Sequence, residues 1–94
     1  MIDVVIHVEL RGIADESVYA ELHQGMLARK WLATLTTDDK QDLPLPDLTY
    51  SGQTEETVDS VSQTLHDWIV ASIWNEGATV LVTELTAWSI SGDY

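Results

Sequence analysis

Ninety-four residues suffice for one domain and leave no room for a second independent core, so residues 1–94 are read as a single domain. The absence of cysteine excludes disulfides and thiolate metal sites, leaving a hydrophobic core or an oligomer interface to supply stability. Sixteen Asp and Glu against four Lys and Arg, a formal net charge of -12, disfavours binding to phosphate backbones and anionic membranes and attracts basic protein surfaces.

From Ile2 to Leu10 the residues alternate: Val4, Ile6, Val8 and Leu10 fall on one side, and Asp3, Val5, His7 and Glu9 on the other. This is the pattern of a half-buried strand, and the stretch lacks the basic opening of a secretory signal. Arg11-Gly12-Ile13-Ala14 breaks the alternation, and Asp15 is placed to cap a helix beginning near Glu16. Val18, Leu22 and Met26, with Tyr19 adjoining, give an amphipathic helix from Glu16 to Lys30. Gly25 inside it lowers helix propensity and predicts close packing against the sheet.

The segment 31–37 is rich in β-favouring residues and the polar stretch 38–41 follows it, which predicts a strand ending in a hairpin. Pro44 and Pro46 cannot donate to a ladder, so the returning strand is expected to centre on Leu48-Thr49-Tyr50, with Ser51-Gly52-Gln53 as a link. Thr54-Glu55-Glu56 reads as a helix start, with carboxylates at the positive end of the dipole. Val58, Val61, Leu65, Ile69 and Ile73 trace one apolar stripe with Trp68 beside it, and Gly77 is expected to cap the C-terminus. Residues 78–90 are β-rich with imperfect alternation, which predicts a long last strand that is buried on both faces or bulged.

The resulting order is an α+β fold, a two-layer ferredoxin-like βαββαβ sandwich with two helices on one face of an antiparallel sheet. Such a sheet leaves its other face to water or a partner. Val5, His7, Leu81, Leu85 and Trp88 are the residues expected to form an oligomer interface there, in a homodimer that compensates for a small core.

Chemistry-bearing constellations are sparse. Asp3, His7 and Glu9 share a strand face, but the period-two spacing separates them along the strand and suits a solvated surface better than a metal. His23 and His66 adjoin apolar helix positions and read as boundary residues. No phosphate-binding glycine loop, nucleophile elbow or zinc-protease helix occurs, and neither a catalytic residue nor a cofactor is assigned. Arg29 and Lys30 before Trp31 are too few cations for nucleic acid and suit the negative end of the first helix. Among the aromatics, Trp74 at the end of the second helix is the candidate anchor for a partner.

Val4 to Leu10 as a strand, the helix bearing Tyr19, Leu22 and Met26, then Leu43-Pro44, Tyr50 and the second helix together resemble the Cas2-like, GhoS-type antitoxin family. The resemblance covers most of the chain and lies in element order and apolar positions. It implies a ferredoxin-like fold and an antitoxin that cleaves toxin messenger RNA, although no catalytic residue can be carried over and no basic RNA path is present.

Three functional classes follow. The leading one is a non-enzymatic cytoplasmic regulator or inhibitor that binds a basic protein, with carboxylates standing where nucleic-acid phosphates would sit. Its expected contacts are Asp38, Asp39, Asp42 and Asp47 around the hairpin, Glu55, Glu56 and Asp59 at the second helix start, and Trp74. The others are the endoribonuclease implied by the resemblance and a structural homo-oligomeric subunit.

Overall fold

A computed structural model of the protein describes residues 1–36 and 41–86. In chain order these form β1 (Ile2–Leu10), α1 (Glu16–Ala28), β2 (Thr34–Thr36), β3 (Asp42–Pro44), β4 (Thr49–Thr54), α2 (Val58–Ser72) and β5 (Ala78–Glu84). The fold is α+β, with a three-stranded antiparallel sheet in the order β4-β1-β5 and a separate β2-β3 ribbon.

β1 is central because its two sets of side chains suit two environments. Val4, Ile6 and Val8 are fully buried, and with Tyr50 of β4 they meet Leu22 and Met26 of α1 and Val61, Leu65 and Ile69 of α2. Both helices therefore cover one face of the sheet, as period-two and period-3.6 stripes require when they share one core.

Asp15 caps α1 as expected, its carboxylate accepting from the backbone N–H groups of Ser17 and Val18 and from the Ser17 hydroxyl. Those bonds, the Ser17 hydroxyl foremost, hold its carboxyl below the usual range. The helix ends two residues before Lys30, in a Schellman turn: Trp31 N–H donates to the Met26 carbonyl and Lys30 N–H to that of Leu27. Lys30 takes the left-handed position at φ 68°, which glycine normally occupies. Trp31 is consequently part of the helix stop rather than the opening of a strand, and its ring lies over Gly52.

The hairpin differs from expectation. β2 pairs with Asp42–Pro44, Pro44 lying opposite Thr34, and not with 48–50. Proline is tolerated because β3 has a ladder on one side only among the described residues. A turn follows in which Thr49 N–H donates to the Pro46 carbonyl and Leu48 adopts φ 58°. This turn redirects the chain, so that 49–54, including the expected link 51–53, becomes the strand beside β1 with Ile6 opposite Tyr50. Leu32 adds an isolated antiparallel bridge to Ser51 on the outer side of β4.

The second helix starts three residues later than expected. Thr54 closes β4, and Thr57 is the N-cap, its hydroxyl accepting from Ser60 N–H. Gly77 does not cap the other end, which stops at Ile73. Its φ of 120° instead turns the chain into β5, where its carbonyl accepts from Arg11 N–H. β5 keeps alternation: Val80 and Val82 turn to the core, Thr79, Leu81 and Thr83 to solvent, and the register from Leu10–Ala78 to Val4–Glu84 contains no bulge. The irregular pattern arose because Leu81 is an apolar residue on the solvent face. Trp88 and the expected extension to 90 lie outside the described residues.

Gly25 is required by the other helix rather than the sheet. A β-carbon there would lie 2.2 Å from Cζ2 of Trp68. Arg29 stacks on the same indole, 3.8 Å from its centroid, and donates to the Gly25 carbonyl.

Candidate functional site

Carboxylates that precede or follow β4 form two separate groups. Asp42 and Asp47 are exposed on the hairpin and the 46–49 turn, and Glu55, Glu56 and Asp59 are exposed at the entry to α2. Six residues of β4 lie between Asp47 and Glu55, about 20 Å of extended chain. That distance exceeds the screening length of roughly 8–10 Å at physiological salt, so the two groups are largely screened from one another. Asp38 and Asp39 lie outside the described residues.

Asp42 has an interaction partner of its own; Arg11, Arg29 and Lys30 lie within 4.0 Å of no described carboxylate, and Asp67 meets His66 at 4.0 Å. Of the helix-entry acids, Glu56 is held by hydroxyl contacts at its side chain and its backbone N–H. Ser60 Oγ donates to Glu56 Oε1 at 2.6 Å, and Glu56 N–H donates to Thr54 Oγ1 at 3.0 Å. Asp59 lies in the first turn of α2, and Glu56 immediately precedes the N-cap Thr57.

Trp74 is half-buried. Its indole N–H donates to the Arg11 carbonyl at 2.7 Å and its ring lies against Gly12. The residue thereby fastens the end of α2 to the end of β1, while part of its ring stays accessible.

The open sheet face brings together the described residues expected there. Val5 lies opposite Ser51 and Thr83, and His7 opposite Thr49 and Leu81. Leu85 N–H donates to the Asp3 carbonyl and continues that register. Leu81 is 59% exposed, and Leu32, which had no place in the expected interface, is 50% exposed beside Ser51 on the same face. His7 Nδ1 lies 3.1 Å from Thr49 Oγ1, a cross-strand contact that sequence spacing does not reveal. Among the described residues no three His, Asp or Glu side chains are grouped to hold a metal ion.

One concavity was not anticipated. Tyr19, Ala20 and His23 of α1, with Asp47, Leu48 and Tyr50, line a cleft of about 520 Å³. Tyr50 and His23 meet with ring centroids 5.9 Å apart, and the phenol oxygen lies 3.3 Å from Nδ1. With the imidazole proton on Nε2, Nδ1 accepts from the Tyr50 hydroxyl. Burial pushes the Tyr50 phenol above its ordinary value, so it remains a donor at neutral pH. Tyr19 and His23, four residues apart on a helix, were the available sequence signal. The partner strand could not be read because the 46–49 turn repositions Tyr50.

Comparison with protein-family models, curated proteins and solved structures finds no match to this chain.

Proposed function

We propose that the protein is a small acidic binding module that regulates or inhibits a basic protein in the cytoplasm, without chemistry of its own. The observation that carries this reading is the set of exposed carboxylates on the 46–49 turn and at the α2 entry that no described Arg or Lys neutralises. Uncompensated charge of one sign steers a cationic macromolecule and repels polyanions. Carboxylates at these positions could occupy a groove that the partner otherwise offers to nucleic acid.

The fold supports a ferredoxin-like reading in its finer detail. Strands β5-β1-β4 follow the split βαβ order, and the Leu32–Ser51 bridge occupies the place of a fourth strand. Kinship with GhoS-type antitoxins would agree with this arrangement. Its endoribonuclease activity is the lesser reading, because Arg29 is engaged on Trp68 and the described surface gathers no cationic path. Incubation with mixed RNA separates the two: cleavage would select the enzyme. A second copy is proposed to cover the open face around Val5, Leu32 and Leu81, with a mass of twice the chain by light scattering as its readout.

The decisive test is capture of defined basic proteins, histones and a ribosomal protein among them, by the immobilised chain. Retention is expected to weaken steeply between about 50 and 200 mM salt, and again in Glu55→Gln/Glu56→Gln/Asp59→Asn. Capture that ignores both salt and these substitutions would reject the reading.

A further inference from the structure

The cleft between α1 and the 46–49 turn has a composition that selects its occupant. Among the described residues its walls are the Tyr19 ring, the hydroxyl edge of the buried Tyr50, an imidazole, Ala20 and Leu48, with Asp47 as the carboxylate. None of the described lining residues is Lys or Arg, so an anionic ligand would find no counter-charge among them. The net charge of -12 deepens that exclusion. A neutral apolar ligand would leave Asp47 and the His23 edge without function, whereas a cation uses every wall. Aromatic faces attract cations through their quadrupole, and a planar guanidinium can stack on a ring while its fork meets a carboxylate.

The local backbone is set to present these groups. Leu48 holds a left-handed φ of 58° although it is not glycine. It is retained there because its side chain packs against the core and its carbonyl accepts from Val8 N–H at 3.0 Å. The turn so fixed leaves Asp47 exposed at the rim, and Thr49 Oγ1 contacts the Asp47 carbonyl at 3.4 Å. Tyr50, 2% exposed, is anchored in the core and presents its hydroxyl end toward His23. The cleft is therefore built on rigid elements, a helix and a strand, with one constrained turn between them.

We infer that this cleft receives one arginine side chain of the basic partner, its guanidinium stacking on the accessible rings of Tyr19 and His23 above the Tyr50 hydroxyl and pairing with Asp47. The inference rests on the reading of the protein as a binder of basic proteins, and it supplies the specificity that a diffuse acidic field lacks. Field-driven attraction raises encounter rates and treats lysine and arginine alike; a stacked, fork-paired site does not.

The test is an amide-shift titration of the full chain with an arginine-containing basic peptide, the same peptide with lysine at each arginine, and one with citrulline, which keeps the shape and removes the charge. Saturable shifts centred on Ala20, His23, Leu48 and Tyr50 are expected. Affinity should fall at least about fivefold with lysine or citrulline, and by a similar factor in Asp47→Asn and in Tyr19→Leu, which keeps apolar volume without a π face. Retained amide spectra establish that both variants fold; should Tyr19→Leu unfold, Asp47→Asn and the peptide series decide alone. If the peptide binds but these changes leave its affinity intact, or the shifts centre on 55–59, the cleft assignment is overturned and the basic-partner reading stands. If the arginine peptide fails to bind even at low salt, the inference and the reading beneath it both fall.

Discussion

At Gly25 two effects of opposite sign compete. Alanine would improve helix propensity by up to about 1 kcal/mol, but its β-carbon would enter the Trp68 ring, with Cζ2 at 2.2 Å and Cη2 at 2.5 Å. Displacing an indole stacked under Arg29 is expected to cost about 1–3 kcal/mol, so overlap wins. Gly25→Ala should lower the denaturation midpoint, and a Trp68→Leu background should remove most of the loss. A stabilised Gly25→Ala in chemical denaturation would show that the indole moves aside freely. The Tyr50 phenol carries the pH dependence at this scale. Its folded pKa lies above the ordinary 10.0, so the folded state holds the proton more tightly than the unfolded chain. The associated stability is present in full below about pH 10 and is lost as pH rises through the folded value. Tyr50→Phe should show a shallower alkaline decline in urea midpoints than the parent protein, and equal slopes would refute the assignment.

The helices illustrate how much of an element is local. α2 carries the regular stripe Val61, Leu65, Ile69, all buried, and its position follows from that stripe alone. Its first residue does not, because Thr54-Glu55-Glu56 points to a start at Thr54, whereas β4 extends through Thr54 and moves the cap to Thr57. Thr54 is committed to the ladder opposite Ile2, leaving Thr57 to accept from Ser60 N–H at 3.1 Å. Thr57→Ala should therefore destabilise by about 1 kcal/mol, with thermal unfolding as the measure. Thr54→Ala, by contrast, should leave α2 helicity unchanged in circular dichroism. The ribbon was misread for a related reason. Proline positions suggested where a strand could not be, whereas an edge accepts Pro44 and the left-handed Leu48, invisible to residue preferences, resets the register.

Over the molecule as a whole, the excess of one charge sign is a load on the fold. With a net charge of -12 and the described Arg and Lys residues engaged in no ion pair with described carboxylates, repulsion opposes the compact state. Raising salt from about 10 mM to about 0.2 M should screen that repulsion and raise the melting temperature. A midpoint that fell with salt would mean that attractive pairs dominate. Among the described residues no helix is long and apolar enough to cross a membrane, which agrees with the absence of long apolar runs. The α+β class, β1 with its buried Val4-Ile6-Val8 face, the Asp15 cap, the apolar stripes of both helices and the acidic composition are legible in residue order, since each depends on periodicity, a local cap or composition. Which strand lies beside β1, what Gly25 faces, and the cleft shared by Tyr19, His23, Asp47 and Tyr50 emerge only when the chain is packed. Those outcomes depend on two left-handed residues and on contacts between segments distant in the chain, where packing overrides what neighbouring residues prefer.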